Sequence, residues 1–178
     1  MLADALYRAA RAASQEPGRY WFAMVRTAEV RTYSGGDATF YFSDGLARQP
    51  RGVVDALVAH ELAHDLLDHV ARRALSSSGT RSFTVIGITI PGGSLFDRVA
   101  NTSVVRAYAR DQEISADRKA VEILRDMGHQ TPRRLLADAL RAAAAINRAT
   151  DRGPFATEAE LRERLAALEP LEPVALTR

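Results

Sequence analysis

Residues 60–64 read His-Glu-Leu-Ala-His, inside a stretch from 53 to 73 whose apolar positions (53, 54, 57, 58, 62, 66, 67 and 70) recur at helical spacing. At roughly 100° per residue, the two histidines stand about 40° apart, one turn along the same stripe. Two imidazoles in that register can hold one metal ion from one side, and Glu61, one step from His60, can take a proton from an attacking water. This pentad constrains the fold more than any other part of the chain. Two histidines leave a catalytic metal site incomplete, so another segment must bring a third ligand to this helix. With no cysteine in the 178 residues, that ligand has to be His, Asp or Glu. Read blandly, the same five letters are a helix with two surface histidines and an ordinary glutamate.

The third ligand does not follow on the same helix. A continued metal-binding helix of the metzincin kind would carry Gly at 67 and His at 70, where this chain has Leu67 and Val70. Residues 111–117, Asp-Gln-Glu-Ile-Ser-Ala-Asp, supply a candidate. Glu113 and Asp117 are four apart and share a helical face, and Ser115-Ala116 keeps that helix slim enough to lie close to a neighbour. Glu113 can ligate a metal. Asp117 can accept the free N–H of a ligating imidazole, His60 being the one expected. Three other polar residues have plainer readings. His69 lies nine positions from His60, on roughly the opposite face of a continuous helix, and reads as structural or solvated. Asp68, one turn beyond His64, reads as a surface carboxylate or as a neighbour of the metal stripe. His129, after Gly128 at a helix end, reads as a cation facing the helix dipole.

Around these segments the pattern is that of a mostly helical α+β chain. Apolar residues at helical spacing fill 2–14, ended by Pro17-Gly18. Residues 20–33 read as one or two strands, 34–37 as a turn and 38–43 as a further strand. Residues 73–97 read as a loop or hairpin insertion within a single domain spanning 1–178. A helix is expected from 94 or 97 to Met127, stopping at Gly128. Another should start at Thr131-Pro132, and a last one should run from a Thr157 cap to Leu168. If 38–43 is an edge strand beside the site, it can pair with an extended polypeptide by strand addition.

Composition narrows the partners. The balance of 47% hydrophobic to 26% charged residues is that of an ordinary globule, and no stretch approaches the roughly 20 apolar residues of a membrane span. The first fourteen residues carry polar and charged positions throughout, unlike a secretory signal or transit peptide. The sequence pI is 9.3, but the net charge is only +2 and the paired arginines (72–73, 133–134) form no longer basic run. A nucleic-acid partner is therefore not expected. The absence of cysteine leaves the compartment open.

The pairing of HELAH with a downstream EISAD resembles the HExxH plus ExxxD pair of the gluzincin metallopeptidases of family M48. SGGDATFYFSDGL is similar to that family's strand-and-turn lead-in, and YARDQEISADRKAVEILRDMGH to its second metal helix. The likeness is best over residues 38–129, with a weaker piece near the C-terminus. It implies a zincin-like, minimal gluzincin fold with a small sheet, and a zinc endopeptidase acting on extended or unfolded polypeptides. One Zn²⁺ per chain would be held by His60, His64 and Glu113, with Glu61 as base. Many relatives are tied to membranes, and the resemblance leaves peripheral membrane association open. The family commonly carries a late His-Pro pair followed by an arginine. Here Glu158-Ala159, or with a gap Gly153-Pro154, stands in place of the pair, while Arg164 matches the arginine. Arg164 reads either as an oxyanion stabiliser or as an exposed helix charge. Glu158, on a last helix packed across the cleft, could occupy an open metal position and restrain the enzyme, or point away. Two other readings stay open: a metal-holding but quiescent binding module, and a regulatory peptidase of another HExxH class.

Overall fold

From Val54 to His64 every residue of one helix is buried, including Asp55, His60, Glu61 and His64. A helix buried on all sides needs a neighbour on each of them, and the rest of the chain is arranged to provide it. The computed structural model describes residues 1–36, 38–69, 108, 110–149 and 158–173. In chain order these form α1 (Leu2–Ala12), a 3₁₀ turn (Pro17–Arg19), β1 (Trp21–Val25), β2 (Thr32–Gly36), β3 (Thr39–Ser43) and α2 (Asp44–Ala47). There follow α3 (Arg51–Leu66), α4 (Arg110–Asp126), α5 (Pro132–Ala149) and α6 (Glu158–Ala167). This is the expected mostly helical α+β architecture. The central helix is α3, with α1, α4, α5 and β2 packed against it. The expected insertion at 73–97, the helix start at 94 or 97 and the Thr157 cap lie outside the described residues.

The elements form where local chemistry favours them. α1 buries Leu2, Ala5, Leu6, Ala9 and Ala10, and Ser14 leaves the helix at φ 56°. α4 closes with Gly128 at φ 96°, its N–H donating to the Arg125 carbonyl (2.9 Å) while the His129 N–H donates to that of Leu124 (3.0 Å). Pro132 opens α5 with its fixed φ already helical, and the Leu135 N–H donates to the Thr131 carbonyl (2.9 Å). The Glu172 carboxylate then accepts from the N–H groups of Arg133 (3.1 Å) and Arg134 (2.9 Å), which have no partner within the helix's first turn.

The sheet corrects two expectations. Its order is β1-β3-β2, with β1 parallel and β2 antiparallel to β3, so β3 is the central strand and not an edge. The reason is its composition: Phe40 and Phe42, two residues apart on one face, are fully buried and pack against Tyr20, just before β1, and Phe22 within it. Strand β2 is the edge that lies against α3. The Ser-Gly-Gly stretch at 34–36 is not a turn but the end of β2, with Ser34 opposite Phe40 and Gly36 opposite Thr39. Gly35 is the extra residue of this bulge, and a Cβ there would stand 2.7 Å from the Tyr41 ring.

Two further anchors set the position of β2 and α3. The loop before β2 is held by Asn147 of α5, whose amide accepts from the Val30 N–H (2.8 Å) and donates to the Val30 carbonyl (2.9 Å). The same loop lies against α2, where the Gly45 N–H donates to the Thr27 carbonyl (2.9 Å). On α3, the buried Asp55 carboxylate accepts from Arg8 of α1 (3.1 Å) and lies 3.1 Å from His129 Nε2 beyond α4. A carboxylate in the core requires such partners, and His129 serves it rather than only facing a helix end.

At Gly45 a Cβ would stand 2.2 Å from the Glu29 carbonyl oxygen and 2.4 Å from that of Ala28. Backbone atoms cannot yield as a side-chain tip can. Gly45→Ala should cost about 1–3 kcal/mol, a fall in thermal midpoint of roughly 2–4 °C per kcal/mol for a chain of this size, read by calorimetry. An unchanged midpoint would show that the loop before β2 is not held by this approach.

Candidate metal centre

Helices α3 and α4 lie side by side, and their facing residues are the polar ones singled out in the sequence. The fully buried Ala116 and Ala120 permit the close approach. His60 Nε2 and His64 Nε2 are 3.0 Å apart. The Glu113 carboxylate faces both, 3.4 Å from the first and 3.7 Å from the second. One ligand atom from each of His60, His64 and Glu113 falls within 4.8 Å of the others, so this cluster could hold a metal ion. Two neutral imidazole nitrogens and one carboxylate oxygen are also the donor set that suits zinc.

Behind the ligands lies a charge network centred on Asp117 and Arg164. Asp117 Oδ1 is 2.9 Å from His60 Nδ1. Arg164 of α6 grips Asp117 with both arms of its fork, Nε to Oδ2 at 2.8 Å and an Nη to Oδ1 at 2.7 Å, and its other Nη is 2.9 Å from Glu113 Oε2. The Arg164 side chain is 12% exposed. It is therefore not the solvated charge that its polar helix suggested, because α6 packs on α4 and turns Arg164 inward. Glu163, one residue back, pairs with Arg110 at the surface. Glu158 opens α6, and its side chain lies outside the described residues.

The network sets the protonation of each group. Burial alone would raise the carboxyls of Glu113 and Asp117, but Arg164 and His60 outweigh it and hold both at about 2. Burial and Arg164 press His60 down, yet its contacts with Asp117 and Glu113 lift it to about 9. His64 is driven well below the ordinary value by burial and by His60, and stays neutral.

Glu61 is buried on the adjoining side of α3. Its Oε1 accepts from the Thr32 hydroxyl of β2 at 2.6 Å. Among the described residues, Oε2 has no hydrogen-bond partner. Burial raises the Glu61 carboxyl despite the opposing pull of His60 and Thr32, which makes its anion a stronger base.

His69 is structural rather than solvated, and it does not lie on the face that an unbroken helix predicts. It is 3% exposed and its Nδ1 lies 3.0 Å from His64 Nδ1. The helical phase does not extend to it, because α3 ends at Leu66 instead of running to 73 and Asp68 turns left-handed at φ 56°. Asp68 itself is exposed. Tyr108 stacks on the His64 ring, centroids 3.7 Å apart. Thr32 and Tyr108 had no signal in the sequence: each is an ordinary residue in its own segment and meets the site only through the fold.

The chain matches the family model of peptidase family M48 over residues 2–172, and it belongs to that family. A search of the curated proteins finds no match. Membership supports a metallopeptidase in general, with polypeptides as substrates. Among the described residues, no helix is long and apolar enough to cross a membrane.

The network makes Arg164 a test of the site's architecture. Arg164→Met leaves Glu113 and Asp117 without their shared cation and should destabilise the metal-free protein by about 3–5 kcal/mol. Arg164→Lys keeps the charge but loses the fork, and should fall between. Urea unfolding measures both, and midpoints equal to wild type would return Arg164 to the surface.

Proposed function

We propose that this protein is a zinc-dependent endopeptidase that hydrolyses peptide bonds in extended or unfolded polypeptides. The observation that supports this most is the state of Glu61: a buried carboxylate with one oxygen held by Thr32 and the other, among the described residues, without a hydrogen-bond partner, beside three convergent ligand atoms. A core carboxylate oxygen in that state is costly unless it has a task. His60, His64 and Glu113 would hold one zinc ion. Bound there, zinc supplies a Lewis acid that polarises a carbonyl and makes water acidic enough to attack near neutral pH.

The chain's own residues do the rest. Glu61 Oε2 takes the proton of the attacking water and returns it to the departing amine, its angle fixed by the Thr32 hydroxyl. Asp117 holds the His60 ring through Nδ1, leaving Nε2 turned to the site. Arg164 balances the charges of Glu113 and Asp117 and so holds the third ligand in place. Among the described residues β2 is a terminal strand that pairs with β3 on one side, and we assign the addition of an extended substrate to its other side. Recognition through main chain favours unfolded segments over a particular side chain.

Two substitutions test the reading. Glu61→Gln should retain zinc and lose hydrolysis of unfolded casein, because an amide of the same shape cannot accept the proton. Turnover at the wild-type rate would give the activity another source, and zinc without turnover in the wild type would favour a binding module. Glu113→Ala should lose most of the metal in elemental analysis. Full zinc occupancy in that variant would remove Glu113 from the ligand set.

A further inference from the structure

The structure assigns His69 as a positioning residue for His64, through a hydrogen-bond chain of one direction that ends in the backbone of α4. The assignment rests on the reading that His60, His64 and Glu113 hold a metal.

The chain begins with a break in helical phase. Were α3 to continue, five residues at roughly 100° each would turn His69 about 140° away from His64. Instead the Leu67 N–H donates to the Ala63 carbonyl (3.0 Å), the Asp68 N–H to that of Asp65 (3.0 Å), and Asp68 adopts φ 56°. A left-handed non-glycine residue is uncommon, and aspartate is among those that tolerate it best. The turn folds His69 back beneath the site, where its Nδ1 meets His64 Nδ1 at 3.0 Å and its Nε2 lies 3.4 Å from Ser115 Oγ. Ser115 Oγ in turn donates to the Gln112 carbonyl at 3.0 Å.

Proton counting gives this chain its direction. Two ring nitrogens in contact share one proton, so one donates and the other accepts. His64 Nε2 faces His60 Nε2 and the Glu113 carboxylate, and a ligand there must present a lone pair. The single proton of the neutral His64 ring is then on Nδ1, and it is donated to His69 Nδ1. His69, accepting at Nδ1, carries its own proton on Nε2, which points at Ser115 Oγ. The Ser115 hydroxyl hydrogen is already committed to Gln112, so its oxygen is the acceptor. Along this chain of contacts the direction follows from the metal ligand outward.

Gln112 immediately precedes Glu113. The chain therefore ties the His64 ring to the turn of α4 that carries the third ligand. His60 and His64 are held alike through Nδ1, but by unlike acceptors: a carboxylate for one, a neutral imidazole for the other. The neutral acceptor adds no fourth anion to a site that already contains Glu61, Glu113 and Asp117. An apolar side chain at 69 would fill the space and leave a buried N–H unpaired. That removes the bias toward the tautomer with a free Nε2.

The zinc-loaded wild-type protein provides the first test. Long-range ¹H–¹⁵N correlation of its four histidine rings should show His64 protonated at Nδ1 and His69 at Nε2. A proton on His69 Nδ1 would overturn the inference, and this measurement needs no variant to fold. The second test compares zinc affinity by competition with a chelator. His69→Leu should bind about 10–100-fold more weakly, whereas His69→Asn, whose Oδ1 can accept near the position of Nδ1, should recover most of the loss. Equal weakening in both variants, or none in either, would overturn it. Failure of the wild type to bind zinc would instead overturn the metal reading itself, and the inference with it.

Discussion

Two imidazoles and a carboxylate buried on one helix impose a requirement on every neighbouring element. His60, Glu61 and His64 are each at most 5% exposed, and a buried polar group without a partner costs about 1–3 kcal/mol. The fold meets this with one neighbour per residue. Asp117 of α4 faces His60, Thr32 of β2 faces Glu61, and His69 faces His64 from beyond the helix end. The elements around α3 are thus fixed by polar matching as well as by apolar packing. This explains why a strand with a bulge and a helix end with a left-handed aspartate are both present next to the site.

Charge is balanced inside the same small volume. Glu61, Glu113 and Asp117 are three acidic groups within reach of one another, and Arg164 is the cation that makes the set tolerable. Its fork engages Asp117 at two points and reaches Glu113 with a third nitrogen. Lysine, a point charge without that planar geometry, could not engage both carboxylates in this way. Among the described residues, Glu61 Oε2 is left out of this matching, and it is the atom to which the proposal assigns the base.

What could be read from the sequence was local or periodic. The His60–His64 stripe, the Glu113–Asp117 spacing, the glycine stop at 128 and the proline start at 132 each depend on a few neighbouring residues, and helical geometry converts them directly into positions. What could not be read was non-local. Strand order depends on pairing between separate segments: Phe40 and Phe42 are buried against Tyr20 and Phe22, and β3 is central, so the condition that 38–43 be an edge is not met. Arg164 looked solvated because its own helix is polar, and only packing on α4 buries it. His69 failed for a subtler reason: the phase argument assumes an unbroken helix, and Asp68 carries no glycine to announce the break. Thr32 and Asn147 act on residues 29 and 117 positions away, and nothing in their own segments marks them.

The central claim is that two histidines of α3 and one carboxylate of α4 form a single metal site in the folded chain. X-ray absorption at the zinc edge of the purified protein tests it most directly. The account predicts a shell of nitrogen and oxygen ligands, with the multiple scattering of two imidazoles and no sulfur. A shell with three imidazoles would move His69 from support to ligand, and the absence of bound zinc would contradict the account outright.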